Sequence, residues 1–257
     1  MADDLVKNIT FSFDDGSRED LRLLELLNRY NLKGTFYVPK NFRLRTLTDA
    51  DVKLIARTQE IGGHTLHHQT LTELSPAQQR KEIFDSKKYL EELTGKKVGV
   101  MSYPNGPYNA DIIELLKEAG YLGARTVKRG PFSSPNSFEL AVTLQFYPFP
   151  LRKKDKNSFL WGRYLFGPLW WHRDLTKYLL PISFLSWKRL SRNSFDYINK
   201  HGGTLHFWGH GWEIEKYGFW QEVEAFLKYV SGRDDVEYVT NGELVKKLFY
   251  EDTNING

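Results

Sequence analysis

The chain has 257 residues, of which 40% are hydrophobic and 26% are charged, with a formal net charge of +4 and no cysteine. This length and balance suit a single large α/β domain of ordinary globular composition. The absence of cysteine excludes disulfides and thiolate metal sites, so histidines and carboxylates would have to hold any metal, and the mild positive charge does not by itself indicate nucleic-acid binding.

Neither a membrane span nor a signal peptide is predicted. No segment approaches the roughly 18–20 consecutive apolar residues of a membrane helix. The N-terminal residues 1–4 are acidic and lack the basic-then-apolar pattern of a secretory leader. We therefore expect a cytoplasmic protein.

The first predicted strand ends in two adjacent carboxylates. Phe11 and Phe13 alternate with polar residues, and the run then stops at Asp14, Asp15 and Gly16. Successive side chains leave a strand in different directions, so one carboxylate could hold a metal while the other accepts a proton. The simpler alternative is a turn, because Asp-Gly is common in turns.

Helices and strands alternate along the rest of the chain. The pattern predicts helices over residues 18–30, 48–57, 75–93, 111–119, about 215–230 and 242–249, and strands over 35–38, 60–64, 98–101, 121–127, 202–209 and 236–239. Thr48 and Asp51 are spaced as in a capping box. Alternation of this kind predicts right-handed βαβ units and a parallel sheet.

Two histidines follow the predicted third strand. His64 and His68 are four residues apart, which suits two imidazoles on one metal, and Asp15 is a candidate third ligand. Two histidines, one carboxylate and an open water position form a hydrolytic zinc arrangement. Co, Ni, Mn or Fe could occupy the same ligands. The alternative is a set of surface or capping histidines, which is how we interpret His67.

Three stretches of the chain form a recognisable set: residues 12–16 (SFDDG), residues 60–68 (EIGGHTLHH) and residues 102–106 (SYPNG). In this order they resemble the T-F-D-D-G, H-[ST]-x-x-H and R-x-P-[YF]-G motifs of one family, the polysaccharide deacetylases of carbohydrate esterase family 4. The resemblance covers roughly residues 5–130. It implies an α/β fold, a distorted (β/α) barrel of about seven parallel strands, with the active site at the C-terminal strand ends.

The resemblance also implies residue roles. Asp14 would be the general base, and Asp15, His64 and His68 would bind the metal. The backbone N–H of Asn105 would face the oxyanion, with Tyr103 and Pro104 beside it on the substrate side. These implied roles predict a metal-dependent N-deacetylase.

The sequence departs from the family pattern at three places. Ser102 replaces the arginine that opens the third motif, and Arg125 could supply the missing charge, unless it is a surface arginine. Asn105 replaces the usual aromatic residue of that motif, and the family's fourth motif is not visible. The family's fifth motif supplies a catalytic acid, and for this role we prefer His210, where a strand becomes a loop, with His206 as the alternative. Whichever histidine is not the acid is interpreted as a core residue satisfied by hydrogen bonds.

Residues about 146–192 interrupt the pattern with an insertion rich in basic and aromatic residues, including Arg152, Lys153, Trp161, Trp170 and Trp187. Such residues suit a membrane interface, an anionic amphiphilic ligand, or stacking on sugars or bases. The plain alternative is a flap that covers the barrel. Our hypothesis is that this insertion binds a lipid-linked or phosphate-bearing glycan, with peripheral contact at the inner membrane face.

We therefore predict one catalytic domain over residues 1–257 that removes an N-acetyl group from an amino sugar of a glycan or glycolipid and releases acetate. One alternative is hydrolysis of a small amide, as in allantoinase-like relatives, and another is a non-catalytic carbohydrate- or membrane-binding module. Nucleic-acid binding rests on the basic insertion alone and is disfavoured.

Overall fold

The computed structural model describes residues 5–130, 132–149 and 172–251. The strands are β1 (Lys7–Asp14), β2 (Gly34–Val38), β3 (Glu60–Gly63), β4 (Val100–Ser102), β5 (Gly123–Arg129), β6 (Leu140–Val142), β7 (Leu144–Gln145), β8 (Gly203–Gly209) and β9 (Glu237–Tyr238). The helices are α1 (Asp20–Arg29), α2 (Asp49–Ile55), α3 (Pro76–Thr94), α4 (Ala110–Glu118), α5 (Trp187–His201), α6 (Gly211–Tyr217), α7 (Trp220–Val230) and α8 (Asn241–Phe249). None of these helices is long and apolar enough to cross a membrane.

The strands form a parallel, nearly closed barrel. Their order is β6-β5-β4-β3-β2-β1-β8-β7, and β9 pairs with the start of β1. Strands β6 and β7 stand at opposite ends of this order, but only Thr143 separates them in sequence. The Thr143 backbone N–H donates to the His206 carbonyl of β8 at 2.8 Å, so the two ends of the sheet meet. The predicted α/β barrel is confirmed, with eight strands along its wall.

Strand β1 is the central element. It pairs with β8 along Lys7–Phe13 and with β2 along Phe11–Asp14. Ile9, Phe11 and Phe13 pack in the main hydrophobic core, whereas Thr10 and Ser12 make buried polar contacts with Asn241 and His206. Because side chains alternate along a strand, this pattern brings Asp14 to the polar side at the C-terminal end of the strand.

Local signals placed several helices correctly. The capping box predicted at Thr48 and Asp51 forms before α2, and the structure shows another from Thr240 to Glu243 before α8. The single helix predicted over about 215–230 was wrong: α6 and α7 are separate helices, and the left-handed Gly218 (φ +63°) ends the first.

The insertion lies partly outside the described residues, which omit 150–171. Its two described ends belong to the packed body of the protein. Phe146 is fully buried, and Trp187 is buried against it with ring centroids 5.6 Å apart. Trp187 also begins α5, a core helix that the sequence patterns did not predict.

Candidate active site and metal centre

The two carboxylates lie at the C-terminal end of β1 and are almost completely buried. Asp14 is the last residue of the strand. Asp15 has a left-handed backbone (φ +77°), which turns its side chain away from that of its neighbour. The Asp-Gly sequence therefore does form a turn, and this turn also presents the two carboxylates to different partners.

Asp15, His64 and His68 come together as a candidate metal centre. One ligand atom from each lies within 4.8 Å of the others. Asp15 Oδ1 is 3.7 Å from His64 Nε2 and 3.2 Å from His68 Nε2. Ligands held about 2.1 Å from a tetrahedral metal are about 3.4 Å apart, so these separations fit one ion.

One hydrogen bond orients the His64 ring as a candidate ligand. Its Nδ1 lies 2.9 Å from the Ser102 carbonyl oxygen, which can only accept, so Nδ1 carries the proton and Nε2 presents a lone pair towards Asp15. Burial lowers the pKa of His64 to about 4, which keeps the ring neutral. His68 is held by stacking on Phe42, with ring centroids 4.1 Å apart.

Glycines bring the third strand close enough to place His64. A Cβ on Gly62 would lie 2.4 Å from the Tyr37 ring, and one on Gly63 would lie 2.3 Å from the Tyr121 hydroxyl. Larger residues at these positions would push β3 away from its neighbours. The paired glycines before His64 therefore have a packing role as well as being a local signal.

Arg125 faces Asp14. It is fully buried on β5, and its Nη2 donates a hydrogen bond to Asp14 Oδ2. Its guanidinium carbon lies 4.9 Å from the centroid of Trp208 and 5.5 Å from that of Tyr37. Burial alone would raise the pKa of Asp14, but the charge of Arg125, together with His64, outweighs burial and lowers it. Asp14 is thus held as a carboxylate.

His210 lies on the opposite side of the two carboxylates, directly after β8. Its Nδ1 is 2.6 Å from Glu213 Oε2, so Nδ1 donates to that carboxylate, and its Nε2 lies 3.9 Å from Asp15 Oδ2. Gln145 Nε2 donates to the same Glu213 oxygen at 3.0 Å. Burial works against charge on His210, but the hydrogen bond to Glu213 and the two aspartates raise its pKa.

His206 lies deeper in the barrel. Its Nδ1 donates to the Ala141 carbonyl and its Nε2 accepts from the Ser12 hydroxyl, both at 2.9 Å. Burial, reinforced by Arg125, lowers the pKa of His206 to about 3. A neutral ring with both nitrogens in hydrogen bonds has no proton to give to a substrate at ordinary pH.

The third motif forms one rim of the site. Tyr103 and Pro104 are buried, and the Tyr103 hydroxyl donates to the Phe138 carbonyl at 3.1 Å. Asn105 is exposed with a left-handed backbone (φ +59°), and its side chain donates to Thr70 Oγ1. Within the described part of the chain its backbone N–H makes no hydrogen bond.

Backbone strain is concentrated at these loops. Five described non-glycine residues have positive φ, and four of them are Asp15, Thr65, His68 and Asn105. Left-handed backbone is unfavourable for such residues and persists where the surroundings impose it, which is common at functional sites.

Comparison with known proteins relates the first half of the chain to one family. Residues 2–124 match the family model described as polysaccharide deacetylase. Over this stretch, which is just under half of the chain, the protein is similar to the polysaccharide deacetylases. Over 117 residues it is 30% identical to peptidoglycan-N-acetylglucosamine deacetylase of Bacillus cereus, an alignment that covers 45% of this chain and 54% of the relative. The chain spans about half the length of the first curated relatives it matches.

Two solved structures of family members share the fold. A Mycobacterium smegmatis protein grouped with the polysaccharide deacetylases superposes with a TM-score of 0.69 at 20% identity, covering 96% of this chain and 91% of that one. A Bacillus anthracis pseudoenzyme of carbohydrate esterase family 4 superposes with a TM-score of 0.54 at 14% identity, covering 93% and 66%. At these identities the likeness concerns the fold alone, and function has to be argued from the site.

Sequence reasoning missed three partners of the site residues. Glu213 accepts from His210 Nδ1, Gln145 donates in turn to Glu213, and Trp212 Nε1 donates to Asp15 Oδ2 at 2.9 Å. The spacing of His210 and Glu213, one helical turn apart, was the available signal for the first of these contacts. Gln145 had none, because its contact with Glu213 spans 68 residues of sequence.

Proposed function

We propose that this protein is a metal-dependent hydrolase that removes an N-acetyl group from an amino sugar and releases acetate. One observation carries the proposal: Asp15 faces both His64 and His68, while the neighbouring Asp14 faces a separate cation, Arg125. The two carboxylates therefore have different roles: Asp15 is the metal ligand, and Asp14 is the carboxylate that can accept a proton. The finer prediction of a lipid- or phosphate-linked glycan remains a prediction.

The donor set fits a divalent metal. Asp15 Oδ1 is buried and accepts no hydrogen bond in the described structure, and both histidines present Nε2 towards it. A metal bound by Asp15, His64 and His68 would lower the pKa of a water and polarise the acetamide carbonyl. Zinc is the first candidate for two histidines and one carboxylate.

The chain's own residues supply the proton transfers. Asp14 takes a proton from the water that attacks the carbonyl carbon. The free backbone N–H of Asn105 donates to the carbonyl oxygen as negative charge develops there. His210, oriented by Glu213, gives its Nε2 proton to the leaving nitrogen as the C–N bond breaks. The products are acetate and a free amino sugar, and no covalent intermediate forms on the protein.

The surroundings support the assignment of acid and base. Arg125 lowers the pKa of Asp14, as a base that must be ionised requires, and Glu213 raises the pKa of His210, as an acid that must be protonated requires. Opposed shifts of this kind in adjacent groups are typical of acid–base pairs in enzymes. His206 has the opposite shift and no access to substrate, so we assign it no catalytic step.

The test combines metal content with acetate release. We expect bound metal and acetate release from N-acetylated glycans in the wild type, and bound metal without acetate release in Asp14→Asn. Because Asp14→Asn leaves Arg125 without its counter-charge, its folding must be checked, and Glu213→Gln serves as a second variant. Metal without release from any sugar would favour a small-amide substrate. No metal after reconstitution would leave a binding module.

A further inference from the structure

An exposed row of aliphatic side chains precedes α5. Leu180, Ile182 and Leu185, which we call the apolar ridge, are 73%, 54% and 58% exposed. Nine large hydrophobic residues are exposed in the described part of the chain, and four of them fall within residues 178–185. Single exposed aliphatic residues are normal on a protein surface, but a cluster of this kind marks an interaction site.

The backbone beneath the apolar ridge is anchored. Ser183 and Phe184 are buried between the exposed positions, and Asn193 of α5 donates to Ser183 Oγ at 2.8 Å. At the start of the segment the Tyr178 ring packs edge-on against Tyr197, with centroids 5.3 Å apart. The ridge is therefore exposed because the fold holds it outward.

Basic side chains flank the ridge. Lys177, Lys188 and Arg189 are exposed, and none forms an ion pair with another described residue. Lys188 and Arg189 lie in the first turn of α5, and that turn contains no acidic residue. Positive charge at a helix N-terminus opposes the helix dipole, so helix stability does not account for these residues. A negatively charged binding partner would account for them.

We propose that the apolar ridge and its basic flank bind the surface of an anionic lipid bilayer. Aliphatic side chains that enter the acyl region, with lysine and arginine at the level of the lipid phosphates, are the pattern of proteins that lie on membranes. The proposal goes beyond the deacetylase activity and does not depend on it. It assigns a partner to residues that have no part in the candidate active site.

Co-sedimentation of the full chain with vesicles tests this surface. The vesicles are made of phosphatidylglycerol and phosphatidylcholine in equal amounts, or of phosphatidylcholine alone. Leu180→Asp/Ile182→Asp removes the apolar contact, and Leu54→Asp is the matched control, because Leu54 is also exposed (44%) but lies on α2. Lys188→Glu/Arg189→Glu removes the charge, with Lys81→Glu on α3 as its control. Circular dichroism and the unfolding midpoint verify that each variant is folded.

We expect the wild type and both controls to bind the anionic vesicles and to bind neutral vesicles weakly. The ridge variant should lose on the order of tenfold in binding per aliphatic residue replaced, even at low salt. The charge variant should lose roughly fivefold per residue. Failure of the wild type to bind anionic vesicles, or wild-type binding by the ridge variant, would overturn the proposal. The proposal would also be overturned if the wild type did not bind vesicles but formed a dimer, and the ridge substitutions converted that dimer to monomers.

Discussion

Replacing Arg125 with methionine should destabilise the fold much more than replacing a surface arginine. Methionine keeps most of the side-chain length but removes the guanidinium that pairs with Asp14. Both residues are almost completely excluded from solvent, so the variant leaves a buried carboxylate without its counter-charge. Breaking a buried pair from one side costs about 3–5 kcal/mol. In a chain of this size that corresponds to a fall of roughly 6–20 °C in the unfolding midpoint.

The double variant makes the reasoning specific. Asp14→Asn alone leaves Arg125 buried without its partner charge, and it should also be destabilised. Combining Asp14→Asn with Arg125→Met removes both charges, so the double variant should be more stable than the sum of the single effects by about 1–3 kcal/mol. This non-additivity separates a broken ion pair from a simple loss of packing.

The assays are denaturant unfolding, for the free energy, and thermal unfolding, for the midpoint temperature, of the metal-free protein, both followed by tryptophan fluorescence. Metal is omitted because binding at Asp15 would add its own stabilisation. Arg80→Met is the control, because Arg80 also forms an ion pair, with Glu118, but on the surface, and its loss should leave the midpoint nearly unchanged. A cost below about 1 kcal/mol for Arg125→Met, or strictly additive single effects, would refute the argument.

Three further outcomes follow from the site. A chelator should abolish acetate release and lower the unfolding midpoint, zinc should restore both, and His68→Ala should show little of either response; a chelated enzyme with full activity would contradict the metal assignment. Glu213→Gln should lower kcat by about 10²-fold with metal content unchanged, because His210 loses its orienting carboxylate, and an unchanged kcat would remove Glu213 from the mechanism. His206 has an ordinary pKa near 6.5 in the unfolded protein and a pKa of about 3 in the folded protein. Between these pH values the unfolded state binds more protons, so the free energy of unfolding decreases as the pH falls below about 6.5. His206→Asn should flatten that acid slope, by up to about 1.4 kcal/mol per pH unit, in unfolding measured across this range, and an equal slope in both proteins would refute the claim.

The parts of the fold that depend on local signals could be predicted. Strand β1 was evident from its alternation, and Thr48 marked the start of α2 through a contact with Asp51, only three residues further along the chain. The candidate metal ligands follow strand ends, and parallel strands bring those ends to one edge of the barrel.

Contacts that join distant parts of the chain could not be derived in the same way. Arg125 reaches Asp14 across 111 residues, and its strand position alone left a surface role open. Strands β6 and β7 have only three and two residues, too few to show an alternation. Helix α5 was hidden because its basic first turn resembled the insertion before it. In each case tertiary packing, which no local pattern encodes, determines the outcome.

The position of β1 has a consequence for how the protein can be made. All three candidate metal ligands lie within the first 68 residues, yet β8 covers one edge of β1 and β9 covers the start of the other edge, and these strands begin only at Gly203 and Glu237. During synthesis on the ribosome, β1 would wait as an exposed edge strand until most of the chain has emerged. Pairings so far apart in sequence form slowly. Fragments that end before Gly203 would contain the complete ligand set and still lack a stable strand to present it.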